Sequence, residues 1–121
     1  MAKTVLALGL DPEFVDFKEF PQLTPQMVRA FIDTQLERAR SLGYNVVSCL
    51  VDAGATAEAV TQRALSAQSF DCVLIGAGLR AAPYLLLFEK LINLVHAGAP
   101  GARICFNSTP ADSAEAIQRW V

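Results

Sequence analysis

Residues 71–80, DCVLIGAGLR, restrict what this chain can become more than any other stretch. Cys72-Val73-Leu74-Ile75 is apolar at every position, with no alternation that would leave one face wet. Such a run predicts a central parallel strand, covered by helices on both sides. Gly76-Ala77-Gly78 and then Arg80 follow it. The glycines are expected to let the chain turn sharply at the strand's carboxyl end, where α/β proteins place their sites.

The rest of the chain supplies the partners such a strand needs. Thr4–Leu10 reads as a first strand, stopped by Asp11-Pro12. Thr24-Pro25 is an N-cap hydroxyl followed by a proline suited to a first helical position. Val28, Phe31, Ile32, Leu36, Ala39 and Leu42 then recur at helical spacing, and Gly43 is a natural stop. Asn45–Val51 reads as a second strand, ending in Asp52-Ala53-Gly54. Thr56 is expected to cap a second helix with Val60, Ala64 and Ala67 inward. Pro83 opens a third helix that runs to about Ala97. Arg103–Phe106 reads as a fourth strand, and Thr109-Pro110 with Asp112 has the spacing of a capping box. Ala114, Ile117 and Trp120 give the fourth helix an apolar side. Alternating strands and helices predict a single α/β domain of three layers. Its sheet is expected to be four-stranded and mostly parallel, in the order 2-1-3-4 of a shortened flavodoxin-like layout.

Composition removes several function classes. A net charge of −2 gives no general attraction to nucleic acid or an anionic membrane. No apolar run approaches the length of a membrane-crossing helix, and the apolar N-terminal stretch is too short for a signal peptide. Cys49, Cys72 and Cys105 each fall within a strand and form no CxxC pair, as expected of buried reduced thiols in a cytoplasmic protein. A single histidine, His96, leaves no cluster for a metal.

In the order 2-1-3-4 the ligand crevice lies between the first and third strands. The residues expected to line it are Asp11 with the long connection 11–23, and Gly76, Ala77, Gly78 and Arg80. Asp52 and Asn107-Ser108-Thr109 emerge at the same end. Arg80, the glycine backbone and the starts of the third and fourth helices would suit a small anion. Asp11 or Asp52 could instead act as a general base, with Arg80 stabilising negative charge. The connection 11–23 is expected to cover the crevice with Phe14 and Phe17 inward. No motif assigns a cofactor: GAG lacks the third glycine of a dinucleotide fingerprint, and neither GxxxxGK[ST] nor GxSxG occurs. In flavodoxins a Ser/Thr-rich loop after the first strand holds the FMN phosphate. Asp11-Pro12-Glu13 would repel one. Response-regulator receivers end their third strand in aspartate, where this chain has Gly76.

The tract CVLIGAGLR, the helix LLLFEKLINLVH and the ending ARICFN…AEAIQRWV resemble a group of small bacterial α/β proteins of unknown role. The resemblance covers most of the chain and implies the fold but no activity.

The third helix has more apolar residues than one buried face can use. Tyr84, Leu87, Phe88, Leu91, Leu94 and Val95 form that face. Leu85, Leu86 and Ile92 fall outside it, beside Glu89 and His96, and predict a homodimer contact. Three functions follow: binding of a small molecule or anion at the strand ends, a small enzyme, or an oligomeric module.

Overall fold

The computed structural model describes residues 2–121; Met1 lies outside them. Strands β1 (Thr4–Leu10), β2 (Asn45–Val51), β3 (Cys72–Ile75) and β4 (Arg103–Phe106) form one sheet in the order β2-β1-β3-β4. All its pairings are parallel. Helices α1 (Pro25–Ser41), α2 (Ala57–Ala67), α3 (Leu85–Gly98) and α4 (Ser113–Gln118) follow the strands in turn.

Side-chain alternation divides the sheet into two faces. The register sets Val5 beside Val46 and Cys72, and Ala7 beside Ser48 and Leu74. That face, with Cys105, is covered by Leu36 and Ala39 of α1 and by Ala114, Ala116 and Ile117 of α4. The opposite face carries Leu6, Leu8, Leu10, Val73 and Ile75 against Leu65 of α2 and Leu91 and Val95 of α3. No helix is long and apolar enough to cross a membrane among the described residues.

Several helical expectations are corrected. Phe31 and Leu42 of the predicted α1 face are exposed, and the buried residues of the helix are Leu36 and Ala39. α2 buries Ala57, Thr61 and Leu65, while Val60 and Ala64 sit at its margin and Ala67 is exposed. Pro83 lies in a 3-10 turn, Ala82–Tyr84, that precedes α3. Trp120 lies beyond α4 and is exposed. Gly43 does close α1, at φ 101°, a left-handed conformation that favours glycine. Gly76 and Gly78 do not have positive φ. The turn after β3 is therefore not made by glycine's conformational freedom.

Both outer strands carry an arginine on their free edge. The Asn45 N–H donates to Lys3 O, and Val51 O accepts from Asp11 N–H. The backbone N–H and C=O groups of the alternate residues of β2, including Val46, therefore point to the free edge. Arg40 covers Val46 O through Nε at 3.2 Å and Nη2 at 2.9 Å. On β4, Arg119 Nη2 donates to the outward carbonyl of Phe106 at 2.8 Å. Unpaired edges invite other strands, and a charged side chain on the edge opposes this.

The packing predicts a sharp contrast within α3. Leu91 has no exposed surface, so Leu91→Ala should cost about 2–5 kcal/mol in urea unfolding. Leu86 is 77% exposed, and Leu86→Ala should change stability by no more than about 0.5 kcal/mol. Equal losses would mean that α3 is packed in another rotation.

Candidate functional site

A cavity of about 210 Å³ opens between α1 and the carboxyl half of the sheet. Its floor is Ala7 and Gly9 of β1, Ser48 and Leu50 of β2, and Leu74 with Gly76 at the end of β3. Val28, Ile32 and Leu36 of α1 form the roof. Pro12 and Val15 close one end, while Ala77, Gly78, Asn107, Pro110 and Ser113 form the far wall. The sequence of β1 explains the space. On the α1 side its residues shrink from Val5 through Ala7 to Gly9, whereas Leu6, Leu8 and Leu10 fill the other side. The wall is most open along β2, where Ser48 is exposed and Leu50 half-buried.

Of the expected ligand residues, Gly76, Ala77, Gly78 and Asn107 line this cavity; Asp11, Arg80, Ser108 and Thr109 do not. Arg80 folds back onto the strand ends. Its Nη1 donates to Ile75 O at 2.6 Å and to Asn107 Oδ1 at 3.4 Å, and its Nη2 donates to Asn107 O. The guanidinium also lies 5.0 Å from the centre of the Phe106 ring, a cation–π distance. Burial lowers the Arg80 pKa from its ordinary value, but arginine remains charged in proteins.

Asn107 ties the two central loops together. Its Oδ1 accepts from Ala77 N–H at 3.0 Å, and its Nδ2 donates to Ser113 Oγ at 3.0 Å. Ser108 and Thr109 turn inward on their own loop. The Asp112 carboxylate accepts from the backbone N–H groups of both and from the Ser108 hydroxyl. The expected capping box is present, with the Thr109 hydroxyl accepting from Ala111 N–H. An acid of the chain itself therefore stands where an anion was expected at the start of the fourth helix.

The two candidate bases have structural partners. Asp11 Oδ1 accepts from Arg29 Nη2 at 2.5 Å and from Glu13 N–H at 3.0 Å. Asp52, rather than the Thr56 side chain, holds the start of α2. Its oxygens accept from the Thr56 hydroxyl at 2.7 Å and from the backbone N–H groups of Gly54, Thr56 and Ala57. These bonds, led by the Thr56 hydroxyl, hold the Asp52 carboxyl below the usual range. The Ser108 hydroxyl and loop N–H groups do the same for Asp112.

The long connection contributes differently from expectation. Pro12 is buried and Val15 half-buried on the cavity, whereas Phe14 is exposed and Phe17 half-buried. Phe14 anchors the loop through its backbone: the Tyr84 hydroxyl donates to its carbonyl at 2.7 Å. The cysteines stand apart from the site. Cys72 and Cys105 are buried with sulfurs 3.4 Å apart, and the contact with Cys72, then burial, pushes the Cys105 thiol up. Among the described residues no cluster of His, Cys, Asp and Glu could hold a metal.

The cavity residues that sequence reasoning did not single out include Ala7, Gly9, Ser48, Leu50, Val28 and Ile32. Their signal is the decreasing size along one face of β1, from Val5 through Ala7 to Gly9. The chain matches no protein-family model and no curated protein.

The carboxylate bonds predict an acid limb of stability. A carboxylate with a depressed native pKa stabilises the fold above its unfolded value of about 4. That stability is lost as pH falls through the native pKa. Asp52→Asn should lower the urea midpoint at pH 7 and flatten its decline below about pH 5. An unchanged acid limb would assign the decline to other carboxylates.

Proposed function

We propose that this protein is a small-molecule-binding α/β domain whose site is the cavity between α1 and the carboxyl ends of β1 and β3. The observation that carries this reading is the position of the cavity. It lies where strand order reverses, the place at which open parallel sheets bind ligands. The walls contain no titratable side chain, which favours binding over acid–base chemistry at this place. The anion form of the reading has less support, because Arg80, Ser108 and Thr109 already bond within the chain. The sheet order suits a shortened flavodoxin-like layout, and the likeness to small bacterial α/β proteins fits the same domain, acting in the cytoplasm.

A thermal-shift screen of neutral, anionic and cationic small molecules tests the reading, since a ligand of the native state raises the melting temperature. At least one compound should give a saturable rise that Ile32→Phe, which fills the roof, removes. Hits unaffected by Ile32→Phe would place binding elsewhere.

A second reading, self-association, rests on the start of α3. Leu85 and Leu86 are 59% and 77% exposed, a large apolar surface for neighbouring residues. Glu89 and His96 are exposed on the same helix. Ile92 has a smaller part in it than its spacing suggested, because it is half-buried against the α2–α3 face of the sheet. A homodimer would bury Leu85 and Leu86 against their own copies. Light scattering should then give twice the monomer mass for wild type and the monomer mass for Leu86→Glu. A monomeric wild type ends this reading.

A further inference from the structure

Two glycines of the cavity floor have no conformational reason to be glycine. Gly9 and Gly76 lack positive φ, and Gly76 sits at φ −71° and ψ 157°, ordinary extended backbone. A Cβ on Gly9 would meet only Leu50 Cδ2, at 3.4 Å. One on Gly76 would stand 3.6 Å from Leu8 O and 3.7 Å from Gly9 Cα. Those are ordinary contacts, so a Cβ fits at both positions. Glycine within or beside a strand costs about 0.5–1 kcal/mol relative to alanine. What the two residues supply here is empty space. They are neighbours across β1 and β3, and together they leave bare backbone as a flat floor beneath Val28 and Ile32.

The chemistry of the walls selects what fits that space. Asn107 and Ser113 bond to each other, and Asn107 Oδ1 is taken by Ala77 N–H and Arg80. Ser113 Oγ also donates to Pro110 O at 2.7 Å. Ser48 is exposed at the open side. Arg29, the cation nearest in sequence to the roof residues, is paired with Asp11. A charged group placed in the cavity would lose its water without gaining a counter-charge. An apolar cavity of about 150 Å³ accommodates benzene. On the same scale this cavity takes about eight or nine non-hydrogen atoms.

We propose that the cavity binds a neutral, flat apolar molecule the size of a bicyclic aromatic ring, laid on the bare backbone of Gly9 and Gly76. Any polar group of that ligand points past Ser48 to water. This assignment rests on the binding reading given above and adds the class of ligand.

Indole serves as the neutral probe, with benzoate and inorganic phosphate as charged ones, in amide NMR titrations of the whole chain. Indole should shift the amides of Gly9, Ser48 and Gly76 in a saturable way, and the charged probes should not. Gly9→Val should raise or preserve the melting temperature while weakening indole at least about tenfold. Should Gly9→Val fail to fold, Ile32→Phe blocks the cavity from the roof and is expected to weaken indole similarly. Benzoate or phosphate shifting those amides while indole does not would overturn the ligand class and keep the site. Silence at those amides with every probe would overturn the site and the class together. Indole binding that survives the blocking variants would overturn the assignment by placing the ring elsewhere.

Discussion

β1 is hydrogen-bonded to β2 on one side and to β3 on the other, so both of its faces must be covered by helices. With a period of two, every second residue is committed to one cover. Leu6, Leu8 and Leu10 meet α2 and α3 with full-sized side chains. Val5, Ala7 and Gly9 meet α1 with steadily less. At the amino end Val5 packs in one cluster with Leu36 and Ala39. At the carboxyl end Gly9 and Gly76 offer nothing for Val28 and Ile32 to touch. Protein interiors are close-packed, so a gap of this size reflects side-chain choice and not loose packing in general. The cavity follows from the taper of one strand face.

The polar residues at the same end have a different origin. Parallel strands end together, and the loops that leave them carry backbone groups without ladder partners. Asp52 accepts the N–H groups ahead of α2, Asp112 those of the Ser108-Thr109 turn, and Asn107 that of Ala77. Arg80 does the converse for the carbonyls of Ile75 and Asn107. Charge thus gathers at the strand ends to satisfy the chain, next to a pocket whose walls are mostly apolar and carry no charged side chain.

This explains why the fold was legible in the sequence and the site only in part. Strand limits, strand order and the parallel sense were written in apolar runs, proline starts and the regular alternation of elements. Chemical character alone points to Arg80, Asp11 and Ser108 as site residues. The sequence does not show that each has a partner within the chain: two carbonyls for Arg80, Arg29 and the Glu13 N–H for Asp11, and the Asp112 carboxylate for Ser108. It could not show which hydroxyl or carboxylate reaches the start of α2, because Thr56 and Asp52 both fit the pattern. Helical spacing likewise sets Phe31 and Leu42 on the apolar face without showing that both remain exposed. The contribution of Gly9 depended on a register that brings it beside Gly76, residues far apart in the chain.

The same geometry limits how two copies could meet. Arg40 on Val46 O and Arg119 on Phe106 O oppose extension of the sheet at its two edges. Each arginine comes from the covering layer or from the chain just beyond it, so the guard is set by the packing that closes the fold. At the start of α3 no comparable cover exists over Leu85 and Leu86. Phe88, one turn on from Leu85, turns inward and meets the Phe106 ring edge-on with centroids 5.8 Å apart. The inward and outward apolar residues of α3 therefore belong to separate surfaces. One holds the sheet, and the other faces whatever lies outside it.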